Sequence, residues 1–137
     1  MCLYTRQLRA RRAEKDIICY KTVWKRTAPK HKGTFLSKYK NFIYKLGETY
    51  TEPMFAEIPE HWGTGNEFGA VKFGFHSYTD LQTAIEDMYY HEAVIRCVIP
   101  KGTLYYGDQN SICYCSKTIR IIGWRERGDK DWRVTAD

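Results

Sequence analysis

The sequence predicts one α+β domain: a twisted, mostly antiparallel sheet of about six strands with one main helix, Thr79 to Tyr90, packed on one face. Three observations carry that reading. Aromatic residues make up 15% of the 137 positions, with 11 Tyr, 6 Phe and 4 Trp, and aromatic and β-branched residues suit a pleated, half-buried surface. Short strand-forming runs recur, above all Asp16–Trp24, Glu92–Ile99 and Lys117–Trp124. One segment switches period: Leu81, Ala84, Ile85 and Met88 fall at i, i+3, i+4 and i+7, a one-sided apolar stripe. A chain of this length buries roughly two thirds of its unfolded surface, enough for a core without staples.

The elements follow in order. Residues 1–15 form a basic N-terminal arm or short helix, with little apolar face in Leu3, Leu8 and Ala10. Asp16–Trp24 is the first firm strand. Lys25–Gly33 is a basic loop with Pro29 and Gly33. Phe42–Tyr44 and Thr49–Thr51 are short strands. Residues 52–69 hold Pro53, Pro59, Gly63, Gly65 and Gly69, a long irregular connection of the kind that is usually functional or mobile. Ala70–His76 is read as one strand with Val71, Phe73 and Phe75 on one face, and Gly74 on the other where something approaches closely. Ser77 or Thr79 caps the following helix, with Asp80 in its first turn. In Glu92–Ile99 the set Ala93, Ile95, Cys97 and Ile99 faces the core. Lys101–Gly102 and Gly107–Asn110 are turns between the last strands. The domain spans 16–124, and 125–137 is a charged tail that Trp132 can anchor.

Formal net charge is +6. Arg6, Arg9, Arg11, Arg12 and Lys15 crowd the N-terminus, and a second cluster runs from Lys21 to Lys45. Such a field attracts nucleic acid or an acidic protein, or simply keeps a surface solvated. No apolar run approaches the roughly 20 residues of a membrane span, and the start has no apolar signal region. Five cysteines (Cys2, Cys19, Cys97, Cys113, Cys115) make an odd count with no Cys-x-x-Cys. They read as reduced thiols of a cytoplasmic protein, Cys113 and Cys115 sharing one strand face. His31, His61, His76 and His91 show no ligand spacing, so no metal is assigned, and no cofactor.

Nucleotide-binding glycine signatures and a nucleophile elbow are absent. His76-Ser77 is the best polar candidate. At a strand end, a histidine can bind a ligand or move a proton near neutral pH, and helix N–H groups just beyond accept an anion. The plainer reading is a satisfied structural histidine beside a cap. Tyr20 and Lys21 on the first strand and Trp62 in the long connection can line the same cleft, or serve packing and surface charge.

Two resemblances are carried by motifs. The opening Met-Cys-Leu-Tyr-Thr, Lys15–Lys21, Val98–Tyr106 and Ser116–Ile122 together resemble a group of small proteins from gut Bacteroidales bacteria and their phages or mobile elements. That likeness speaks to origin and implies no activity. Ile18-Cys-Tyr-Lys21, Gly74-Phe-His-Ser77 and Val98-Ile-Pro-Lys-Gly-Thr103 resemble pieces of the ADP-ribosyltransferase fold. The resemblance implies an NAD site with Tyr20 or Lys21 at the family's first-strand Arg or His. It places His76-Ser77-Tyr78 at the mid-sheet element. The family's catalytic Glu position falls near Arg96, with Glu92 four residues too early. An arginine there repels the positive charge that develops on the ribose, so the resemblance implies a degenerate relative.

The expected function is a non-enzymatic binding or accessory protein of a bacterium, phage or mobile element. Its partner is a protein or other acidic partner, held by the basic face or by a cleft of Tyr20, Lys21, Trp62, His76, Ser77 and Arg96. The alternatives are the degenerate NAD-binding protein and a nucleic-acid binder using Arg6, Arg9, Arg11, Arg12 and Lys15.

Overall fold

The computed structural model describes residues 3–26, 28–38, 42–61, 69–89, 92–108 and 110–136. Among them the strands are β1 (Leu3–Thr5), β2 (Arg11–Arg12), β3 (Ile17–Lys25), β4 (Thr34–Ser37), β5 (Ile43–Lys45), β6 (Thr49–Thr51), β7 (Glu60–His61), β8 (Gly69–Val71), β9 (Phe75–Tyr78), β10 (Glu92–Ile99), β11 (Leu104–Gly107), β12 (Cys113–Ser116) and β13 (Thr118–Glu126). A single 3-10 turn (Pro29–His31) and one helix, α1 (Leu81–Glu86), complete the described elements.

The architecture is a mostly antiparallel sheet with one short helix, so the α+β class holds in outline. The expected count of six strands does not. A ten-stranded sheet runs β2-β11-β12-β9-β3-β10-β13-β6, with β4 added to β3 and β5 to β4, and a second sheet runs β1-β8-β7. Strands β1, β2 and β7 have only two or three residues and lie in segments read as arm or irregular connection, too short for alternation to announce them. The N-terminal arm supplies two of them. Leu3 and Thr5 are buried as β1 pairs with β8, and Arg11–Arg12 pair with Tyr105–Leu104.

The helix is also shorter than expected. Asp80, not Ser77 or Thr79, is its N-cap: the carboxylate accepts the Thr83 N–H at 2.8 Å and the Thr83 hydroxyl at 2.9 Å. Asp is among the best capping residues because its oxygen satisfies an otherwise orphaned N–H. Ser77 lies inside β9, and Thr79 Oγ1 donates instead to Ser111 O at 3.0 Å. Ala70–His76 is not one strand. It breaks at Lys72–Gly74, where Gly74 has φ +144°, and its halves join different sheets.

The central pair is β3–β10, in register from Ile17↔Ile99 to Trp24↔Glu92. Ala93, Ile95, Cys97 and Ile99 are fully buried on one face with Cys19, Val23, Ile119, Ile121 and Phe35. The opposite face holds two smaller cores. Under α1 lie Val94, Ala84, Met88 and the ring of Tyr20; under the small sheet lie Leu3, Val71, Phe55, Tyr106 and Cys115. The C-terminal segment is fixed to the body. Arg133 exchanges two backbone hydrogen bonds with Trp124, and Trp132 stacks on Tyr20 with centroids 5.8 Å apart. A bulge between Arg96 and Cys97 in the β10–β13 pairing, followed by Gly123, leaves room for that segment: a Cβ at Gly123 would stand 3.2 Å from Arg133 O. No described helix is long and apolar enough to cross a membrane.

Candidate functional site

One edge of β3 is shared. β10 pairs along the whole of the other edge, but here β9 meets β3 only at Tyr20↔Tyr78, and β4 meets it at Val23–Lys25. Between those contacts Lys21 and Thr22 border a notch. It has a volume of about 50 Å³ and a wall that includes Tyr20, Lys21, Lys38, His76, Ser77 and Asp87. Four residues singled out in the sequence (Tyr20, Lys21, His76, Ser77) therefore share one site. Arg96 does not line it. Directly opposite Tyr20 on β10, its guanidinium lies 5.7 Å from the Trp132 ring centroid. Trp62 lies outside the described residues.

The polar groups around the notch are engaged with one another. Lys21 Nζ donates to His76 O and lies 5.4 Å from the Tyr44 ring centroid. Thr22 Oγ1 donates to Ala84 O at 2.8 Å, and Tyr78 OH to Asp87 Oδ2 at 3.0 Å. Lys38 Nζ stands 3.1 Å from the Glu92 carboxylate and 3.7 Å from Asp87 Oδ2. The Glu92 side chain is fully buried, and its Oε2 also accepts the Tyr89 N–H at 2.9 Å. A buried carboxylate needs such partners to stay ionised. His76 Nε2 lies 3.8 Å from the Cys115 sulfur, which is buried and does not line the notch. Across the sheet Cys19 faces Cys97, and burial pushes the Cys97 thiol well above its usual range. At roughly 10–15 Å³ of such volume per water molecule, the notch admits a few waters or one small polar group. Drug-sized or nucleotide ligands occupy roughly 300–1,000 Å³.

A second site has the larger dimensions. Between the N-terminal strands and the β11–β12 hairpin runs a groove of about 400 Å³ lined by Arg6, Gln7, Arg11, Tyr105, Asp108 and Tyr114, among others. The register builds it. Arg11 stands opposite Tyr105, and Tyr114 opposite Gly107. Arg11 Cζ is 5.7 Å from the Tyr105 centroid, and the two tyrosine rings meet edge to face at 5.8 Å. Gln7 ties the wall together: its Oε1 accepts the Gly107 N–H at 2.8 Å and an Arg11 N–H at 3.3 Å. Arg12 donates to Gly102 O at 3.1 Å. These partners of Arg11 and Arg12 are neutral. Asp108 caps the turn at the groove's far end, accepting the Ile112 N–H at 2.7 Å.

Of the five basic residues expected at a nucleic-acid contact, Arg6 and Arg11 line the groove, and Arg9, Arg12 and Lys15 are exposed along the same segment. Tyr105, Tyr114 and Gln7 were not legible as site residues; only the cross-strand register brings them to the arginines. Among the described residues, no three His, Cys, Asp or Glu side chains come together as a metal site. No protein-family model matches the chain, and neither does any curated protein or solved structure.

Proposed function

We propose that this chain is a non-enzymatic binding protein that holds an anionic partner in the groove beside its N-terminal strands. One observation carries the reading: Arg11, which donates to the neutral Gln7 and lies by the Tyr105 ring, lines an open groove of about 400 Å³ together with Arg6. The notch near His76 offers about 50 Å³, and Lys38 on its wall already pairs with Asp87 and Glu92. Size favours the groove. The net charge of +6 adds long-range attraction for an acidic partner. An accessory role in a bacterium, phage or mobile element suits such a protein. A reducing, cytoplasmic compartment suits Cys19, Cys97 and Cys113, which are free thiols.

The ADP-ribosyltransferase-like reading keeps one supporting observation, the convergence of Tyr20, Lys21, His76 and Ser77. Its chemistry lacks a carboxylate at the position of Arg96, and the nearby Glu92 carboxylate is bound to Lys38. One experiment with two probes tests both readings. The protein should be retained on heparin at low salt and released as salt rises, and Arg6→Gln with Arg11→Gln should release it earlier. Labelled NAD should yield no free nicotinamide and no transferred label. Failure to bind heparin at low salt sinks the groove reading. Nicotinamide release abolished by Glu92→Gln reinstates the enzyme.

A further inference from the structure

We propose that the anionic partner is single-stranded nucleic acid, its phosphates on Arg6 and Arg11 and its bases stacked on Tyr105 and Tyr114; this rests on the groove being the binding site. One cation and two rings lie together on the groove lining: the Arg11 guanidinium is 5.7 Å from the Tyr105 ring centroid, and the Tyr114 ring centroid is 5.8 Å from that of Tyr105. One cation beside two rings suits a chain that carries both phosphates and bases. Tyr105 and Tyr114 pack against the core and are only half-buried, and every base offers a π face to such an aromatic platform.

Three further features shape the site for one strand. The surface is concave, and a duplex is read by a helix or ribbon that protrudes into its grooves; a concave wall instead receives an extended strand. Gly107, opposite Tyr114, adds no side chain of its own to this wall, and Gln7 fixes that edge by accepting the Gly107 N–H at 2.8 Å. Asp108 stands on the lining with a negative charge of its own. It repels phosphate, so the backbone is held to the arginine end and the bases to the tyrosines. A strand bound this way is sensitive to salt through its phosphates and insensitive to base identity, since ring stacking reads no hydrogen-bond pattern.

The test is fluorescence anisotropy with a labelled oligothymidine of about 15 nucleotides, compared with a duplex of equal length, heparin and polyglutamate. The oligothymidine should bind more tightly than the duplex. Tyr105→Leu, which keeps an apolar side chain against the core and removes the ring, should weaken oligothymidine binding by roughly tenfold. It should leave heparin binding unchanged, and Tyr105→Phe should bind like the parent. Arg11→Gln should weaken both ligands and lower the salt slope for the oligonucleotide by about 0.7. Heparin or polyglutamate binding with no preference for oligothymidine and no effect of Tyr105→Leu overturns the stacking proposal and leaves the anion-binding groove standing. Duplex binding as tight as single-strand binding overturns it too. No binding to any probe at low salt removes both.

Discussion

Gly74 shows what a single position decides. Its φ of +144° lies where only glycine is at ease. The space is also taken: a Cβ there would stand 2.4 Å from the Cys115 sulfur and 3.1 Å from both Ser116 O and a Phe55 ring carbon. Gly74→Ala therefore meets backbone strain and overpacking together, each typically about 1–3 kcal/mol. Urea unfolding should show a loss of at least about 2 kcal/mol for this variant, whereas Gly102→Ala, with φ +87° but nothing within 4 Å, should lose less. Equal losses at the two sites would mean that the close approach of Cys115 does not matter. The close approach at Gly74 was legible in the sequence, because a glycine amid Val71, Phe73 and Phe75 has no packing role of its own. The chain reversal at the same residue was not, and Phe73, expected to share a buried face, is 44% exposed as a result.

At the scale of elements, two carboxylates fasten the pieces that cover the sheet. Asp80 caps α1, and the Thr83 N–H and hydroxyl hold its pKa below the usual 3.8. Asp129 accepts from Arg133 Nε at 2.9 Å and from the Glu126 N–H at 2.9 Å, and the Arg133 hydrogen bonds hold its pKa down as well. A carboxyl depressed in the folded state contributes stability that is complete above its unfolded pKa and is lost as pH falls through the folded one. Urea midpoints should accordingly hold level at mildly acidic pH and decline below about pH 4. Asp129→Asn should flatten that decline while lowering the midpoint at neutral pH. An unchanged acid limb would show that the Arg133 contact is not formed in solution. The long elements here were legible: the core faces of Asp16–Trp24 and Glu92–Ile99 carry enough alternating apolar residues to declare themselves. The helix end was misjudged because Ser77, Thr79 and Asp80 are all competent caps. Only the strand pairing of Ser77 with Tyr114 removes the first from contention. The notch followed the same logic. His76 and Tyr20 are polar or amphipathic residues at strand positions, which drew attention to them. Lys38 and Asp87 read as ordinary surface charges until β4 and α1 bring them to the same place.

Across the whole molecule the thiols report how its layers come apart. Cys19 and Cys97 sit opposite one another in the β3–β10 pair, the longest register in the fold, flanked by β13 on one side and by β9 and β4 on the other. Cys115 is as deeply buried, but its cover is the small β1-β8-β7 sheet and Phe55, held by strand pairs of two and three residues. Cys113 is half-buried, and burial raises its thiol to about 11. Local opening costs least where few buried contacts and short ladders hold a segment. Alkylation of a Cys2→Ser protein with iodoacetamide, followed by mass spectrometry, should therefore label Cys113 first. That labelling should be slow at neutral pH and accelerate as pH rises toward 11, because only the thiolate reacts. Cys115 should follow as the small sheet lifts, at urea concentrations below the main transition. Cys19 and Cys97 should be labelled last and together, at the rate of global unfolding, since reaching either means separating β3 from β10. Labelling of Cys19 as early as Cys115 would show that the two faces open in one step and that the small sheet is no independent cover. Tight binding in the groove should delay Cys115 more than Cys19. The bound strand would bridge Arg6, just beyond β1, to Tyr105 and Tyr114 on the main sheet, holding the cover to the layer it protects.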